Sequence, residues 1–129
     1  MDKTLGLHHA ALTVSDIEES SAWYRRILGM EEEFSATAGN RSMAVLRLPG
    51  SGHAVGLVQH ASGTGRAFDP TVVGLDQLAF SVTARDDLDD WVRELDDHDV
   101  DHSGIVVAAP ERSTDQGAGS CAGPGLRRA

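Results

Sequence analysis

Hydrophobic and polar side chains alternate in the segment LHHAALTVSD near the start of the chain, and this alternation predicts a β-strand. Successive side chains of a strand point to opposite faces, so His9, Ala11 and Thr13 share one face. The other face becomes apolar along the strand, at Leu12 and Val14. We therefore expect the apolar face to pack on a core and the face with His9 to line a cavity.

The segment that follows, DIEESSAWYRRILGM, has apolar residues at roughly helical spacing and two glutamates in its first turn. Asp16 is suited to cap the start of this helix, and Gly29 is expected to end it. Residues 42–48 and 54–60 then have the composition of strands, separated by the turn PGSG. The first half of the chain is therefore predicted to have the element order β-α-β-β-β.

The same pattern starts again after a connector rich in Gly, Ser and Thr. QLAFSVT at 77–83 matches HAALTVS at 9–15 with an offset of 68 residues, and this offset also places Trp23 on Trp91. These are the only two tryptophans of the chain, which favours an internal repeat over the alternative of two unrelated β-α units. We interpret both tryptophans as core anchors, and the acidic segment around Trp91 as a helix with a solvated outer face.

Composition limits the classes of protein to which this chain can belong. A chain of 129 residues with 40% hydrophobic and 24% charged residues is typical of one globular domain. Its net charge of −9 argues against a nucleic-acid partner, which would need a basic face. We expect no membrane segment, because no apolar run is long enough to span a bilayer. The single cysteine allows no internal disulfide, and a cytoplasmic location is expected.

Taken together, the segments LHHAALTVSDIEESSAWYRRILGM and GLDQLAFSV, with weaker support from AVGLVQH, resemble the vicinal oxygen chelate superfamily. That superfamily includes glyoxalase I, extradiol dioxygenases and bleomycin-resistance proteins. The resemblance implies an α+β fold in which two βαβββ modules form a cupped mixed sheet with a ligand or metal on its concave face. Module one then covers about 5–60, the connector 61–74, module two about 75–108 and a divergent tail 109–129.

The resemblance also implies metal ligands on the first and last strands of each module. His9 takes the first position, and Gln77 stands where the metal enzymes usually have a second histidine. The acidic position on the last strand of module one falls on Gly56, which has no side chain to offer. The final strands of module two would fall on 111–116 and 122–128, and neither has the composition of a buried strand. A shifted reading frame, a truncated gene and true divergence would each explain this tail.

This incomplete ligand set leads us to expect a small-molecule-binding protein of the glyoxalase/bleomycin-resistance type, with no cofactor and no assigned catalytic residue. Drug or natural-product sequestration, and hence antibiotic resistance, is the expected role. The alternative is a lyase, isomerase or dioxygenase in which His9 and Gln77 bind Zn, Ni, Mn or Fe. The candidate ligand-binding residues are His9, Ala11, Thr13, Gly56, His60, Gln77, Ala79 and Ser81.

Two further expectations concern His60 and the assembly. His60 could reach the cup from the same strand face as Gly56, with an exposed histidine at a strand end as the alternative. The poor closing strands would leave sheet edges unpaired, so we expect a homodimer in which a partner segment covers such an edge.

Overall fold

The computed structural model describes residues 3–106 and 120–121. The chain forms two compact units, of which the first runs to Ala67 and the second begins at Phe68. Helices and strands occur in both units, so the predicted α+β class is confirmed. The predictions for 111–116 and 122–128 concern residues outside the described part, and the proposed module boundaries stay a prediction.

The first strand, β1, spans His9–Thr13 and has the predicted division of faces. Leu12 and Val14 are buried, whereas His9, Ala11 and Thr13 are exposed. The apolar residues therefore belong to the core of the first unit, as the alternation predicts.

Helix α1 spans Ile17–Leu28 and has both predicted ends. The Asp16 carboxylate accepts a hydrogen bond from the Glu19 backbone N–H at 3.0 Å, which satisfies one of the unpaired donors of the first turn. Gly29 ends the helix in the left-handed conformation, with φ of +66°. Both local signals in the sequence are confirmed.

Three more strands complete the sheet of the first unit: β2 at Glu31–Ala38, β3 at Arg41–Arg47 and β4 at Ala54–His60. Their order across the sheet is β1-β4-β3-β2. β1 pairs with β4 in parallel, and the other pairs are antiparallel, so the sheet is mixed. The prediction for β4 matches both of its ends, and the one for β3 is displaced by a single residue.

Helix α1 contacts β3 and β4, and the core lies between the helix and the sheet. Ile27, Leu46 and Leu57 are at most 2% exposed. The interpretation of Trp23 as a core anchor is wrong, because its side chain is only half-buried and the buried aromatic residue of this helix is its neighbour Tyr24. The Trp23 ring instead packs edge-on against Tyr24, with ring centroids 5.1 Å apart.

The second unit repeats the start of the first. Strand β5 covers only Phe80–Ser81, shorter than predicted, and pairs in antiparallel fashion with Ser120–Cys121, β6. Helix α2 spans Arg85–Asp97, so it begins 68 residues after α1. Its buried residues are Leu88 and Leu95, and Leu95 is the counterpart of Ile27 under the same offset. Trp91 is half-buried, so it is not the core anchor that we expected.

Candidate ligand-binding face

The face of the first unit's sheet that carries His9 lies opposite helix α1. The Gln59 side-chain oxygen accepts a hydrogen bond from the Ile17 backbone N–H at 2.9 Å, which places α1 on the side of Gln59. Ala54 is an odd number of residues from Gln59 in the same strand, so its side chain lies on the other side. His9 pairs directly with Ala54, and we name this side of the sheet the His9 face.

The strand register arranges the His9 face in rows that run from β2 through β3 and β4 to β1. In that order the three rows are Glu31, Arg47, Ala54 and His9; Phe34, Val45, Gly56 and Ala11; and Ala36, Met43, Val58 and Thr13. His60 is two residues beyond Val58 in β4 and so lies on the same side, paired with Arg41. Five of the candidate residues, His9, Ala11, Thr13, Gly56 and His60, therefore share one face. Phe34, Met43, Val45 and Val58 join them there and were not predicted, although alternation within SMAVL and AVGLV could have indicated three of them.

Gly56 lies directly beside Ala11 of the neighbouring strand. A Cβ atom added to Gly56 would lie 3.2 Å from the Ala11 Cβ and 3.4 Å from its Cα, closer than most Cβ contacts in proteins. Any side chain at position 56 would therefore push on β1. The position that the family resemblance assigns to an acidic metal ligand is thus occupied by a residue without a carboxylate, at a point where a side chain would be crowded by Ala11.

His9 has a partner that the sequence did not indicate. Its Nδ1 lies 2.7 Å from Nδ1 of His8, and the two ring centroids are 5.0 Å apart. Strand alternation would place neighbouring side chains on opposite faces, but His8 precedes the first residue of β1. The two imidazoles therefore meet at the strand end.

His60 lies on the His9 face at the opposite end of the sheet. It pairs with Arg41, whereas His9 is level with Ala54, six residues away along β4. At about 3.3 Å per residue the two histidines are roughly 20 Å apart, so they cannot bind the same metal ion. His60 is exposed, in agreement with the alternative of a histidine at a strand end.

The other three candidates, Gln77, Ala79 and Ser81, belong to the second unit. All three are exposed, and the residues between and after them, Leu78, Phe80 and Val82, are half-buried. This is the division of faces seen in β1, displaced by 68 residues. That Gln77 shares a cavity with His9 stays a prediction.

The described side chains do not fit a chelated divalent metal ion at His9. Within residues 3–106 and 120–121, no three His, Cys, Asp or Glu side chains come close enough together to hold an ion. The carboxylate in the same row, that of Glu31, is three strands away from His9, about 14 Å at normal strand spacing. The adjacent imidazoles of His8 and His9 offer at most two ligands, where catalytic sites commonly use three.

Sequence comparison places this architecture in a known family. The model of the Glyoxalase/Bleomycin resistance protein/Dioxygenase superfamily matches residues 6–119, so the chain belongs to that superfamily. The family resemblance inferred from LHHAALTVSDIEESSAWYRRILGM and GLDQLAFSV, with weaker support from AVGLVQH, is therefore confirmed. No curated protein matches the chain significantly.

Solved structures agree with this assignment. A glyoxylase/bleomycin resistance protein/dioxygenase domain from Frankia sp. EAN1pec is 33% identical, with 82% of this chain and 83% of that one covered and a TM-score of 0.75. A variant of the fosfomycin resistance protein FosX from Listeria monocytogenes, solved with Mn(II) and 1S,2S-dihydroxypropylphosphonic acid, is 18% identical (88% and 79% covered, TM-score 0.56). Trypanothione-dependent glyoxalase I from Leishmania major is 20% identical (79% and 76% covered, TM-score 0.59). The last two show the shared fold.

No helix in the described part of the chain is long and apolar enough to cross a membrane.

Proposed function

We propose that this protein binds a small organic molecule on the His9 face and holds it without a catalytic metal ion, as a resistance protein that sequesters a drug or natural product would. The observation that carries this proposal is the close approach of Gly56 to Ala11: the position that the family resemblance assigns to an acidic ligand has no side chain, and an added Cβ atom would lie only 3.2 Å from the Ala11 Cβ. The FosX variant was solved with Mn(II), but at 18% identity it shows only that the fold is shared, and its metal ligands cannot be transferred to this chain.

The chemistry of the His9 face supports an organic ligand. Phe34 is 52% exposed although it lies in the middle row of the sheet, and Met43, Val45 and Val58 on the same face are half-buried. An accessible apolar surface with a few polar groups is typical of small-molecule sites. On β1 the polar groups of this face are the His9 imidazole and the Thr13 hydroxyl, at the two ends of the strand, and Glu31 and Arg47 lie in the same row as His9.

Charge favours a neutral or cationic ligand. The Arg47 guanidinium, which lies in the same row as His9, is paired with the Glu33 carboxylate at 2.7 Å. Its positive charge is therefore already compensated, and the chain as a whole carries a net charge of −9. A phosphonate like the one bound to FosX would gain little from such surroundings.

The metal content of protein purified without chelators tests the proposal. We expect less than one divalent ion per chain, and melting temperatures that hardly change when Mn, Zn, Ni or Fe is added. An ion at about 100 times its dissociation constant would stabilise the fold by roughly 2.7 kcal/mol, or about ten degrees. A stoichiometric ion that is lost in His9→Ala or Gln77→Ala would overturn the proposal and establish the metal-enzyme alternative.

Bleomycin titrated by calorimetry tests the binding face. Phe34→Ala should weaken binding by about tenfold, because it removes an apolar contact of roughly 1.5 kcal/mol. Phe68→Ala is the matched control, since Phe68 is also a partly exposed phenylalanine, 40% exposed, but lies outside the sheet. Equal effects of the two variants would show that bleomycin does not use the His9 face, and no binding at all would show that bleomycin is not the compound that this protein sequesters.

A further inference from the structure

The contact between His8 and His9 gives His8 a role at the candidate site. Two imidazole nitrogens 2.7 Å apart form a hydrogen bond only if one carries a proton and the other offers a lone pair. The pair therefore shares a single proton between its two Nδ1 atoms. Each ring then has its Nδ1 engaged and its Nε2 available.

We infer that His8 is a positioning residue, which engages Nδ1 of His9 and leaves Nε2 as the atom with which His9 meets a ligand. This inference rests on the proposed function of the His9 face. Neither residue is in a core that would hold its ring in place, because both side chains are exposed. The hydrogen bond to His8 is the contact that orients the His9 imidazole.

The shared proton also determines which ligand groups His9 can meet. When His8 donates, His9 is protonated at Nε2 and can donate a hydrogen bond to a carbonyl or ether oxygen. When His9 donates, its Nε2 has a lone pair and can accept from a hydroxyl or amide. The two states exchange when His9 releases its Nε2 proton to water and His8 takes one up at Nε2, with the proton between the Nδ1 atoms moving to His9. The ligand group at this position is thus one that accepts a hydrogen bond from Nε2–H or donates one to the Nε2 lone pair.

Nitrogen-15 NMR of the histidine rings tests this assignment without any ligand, so it can fail independently of the proposed function. The protein is measured at about pH 8.5, two units above the ordinary pKa of histidine, where free imidazoles are neutral. In a pair that shares one proton, the fractions of His8 and His9 protonated at Nδ1 sum to one. Two independent neutral imidazoles both favour Nε2–H and give a smaller sum.

The matched variants are His8→Phe and His53→Phe. His8→Phe keeps an aromatic ring at position 8 but removes the nitrogen, so the Nδ1–H fraction of His9 should shift to that of the exposed reference His53. His53→Phe should leave the His9 signals unchanged. The assignment is wrong if His9 already matches His53 in the unmodified protein, or if the His9 signals do not move in His8→Phe. Unchanged signals elsewhere in the spectrum would show that His8→Phe is folded.

Discussion

Ser21 places a hydroxyl group between helix α1 and the sheet. Its side chain is 6% exposed, and its Oγ has no hydrogen-bond partner among the described residues. A buried polar group without a partner opposes folding, because the hydrogen bonds that it makes to water in the unfolded chain are lost. Ser21 is therefore a weak point of an otherwise apolar helix face.

Ser21→Ala should stabilise the protein by about 1 kcal/mol, because it removes the unpaired hydroxyl and introduces a better helix former. Chemical denaturation measures the change in the free energy of unfolding. Ser20→Ala is the control on the same helix, and its half-buried side chain should give a smaller gain. Loss of stability in Ser21→Ala would mean that the hydroxyl is bonded in solution.

Tyr24 makes stability depend on pH in the alkaline range. Burial raises the pKa of its phenol above the ordinary value of 10.0, so the folded state favours the neutral form. The contribution of Tyr24 to stability is complete below pH 10 and is lost as the pH rises through the higher pKa of the folded state.

We therefore expect the melting temperature to fall above about pH 10, and the fall to be smaller in Tyr24→Phe. Tyr24 is the only tyrosine of the chain, so the ultraviolet absorbance of tyrosinate reports its ionisation alone. If the Tyr24 phenol ionises at the ordinary pKa in the folded protein, it is in contact with water and the prediction is wrong.

At the scale of elements, the sequence predicted helices better than strand contacts. Both ends of α1 follow from Asp16 and Gly29, because a cap acts on the neighbouring turn of the same helix. The contact between Gln59 and Ile17 joins residues 42 positions apart, and no local signal predicts it. The place of Phe34 on the His9 face was not predicted for a similar reason, because it depends on an irregularity in the β2–β3 register between Glu32 and Phe34.

The contact between β1 and β4 can be tested with a double-mutant cycle. Gly56→Ala introduces a Cβ atom 3.2 Å from that of Ala11, and Ala11→Gly removes the group that it would meet. Gly56→Ala should therefore lower the free energy of unfolding by about 1 kcal/mol less in the Ala11→Gly background than in the unmodified chain. Equal effects of Gly56→Ala in both backgrounds, measured by denaturation, would mean that β1 moves aside without cost.

At the scale of the whole molecule, β1 and β2 are the outer strands of the four-stranded sheet in the described part. Unpaired strand edges are sites of association. The residues that lead into β1 include two exposed leucines, Leu5 at 97% and Leu7 at 79%. These features support the expectation of a homodimer in which a partner segment covers an edge.

Sedimentation at micromolar concentration should show a dimer that Leu7→Glu weakens. Val73→Glu is the control, because Val73 is a fully exposed apolar residue in the second unit. A monomer in the unmodified protein would contradict the expectation, as would equal weakening by both substitutions.

The sequence alone determined those features that depend on near neighbours. The two faces of β1, the limits of α1 and the repeat at 68 residues all follow from periodicity and capping, which act over a few positions. The tertiary structure decided how the strands align. It placed Gly56 against Ala11, separated His9 from His60 along β4, and brought Gln59 to the start of α1. Strand register depends on packing between residues far apart in the chain, so the contents of the His9 face could be assigned only once the sheet had formed.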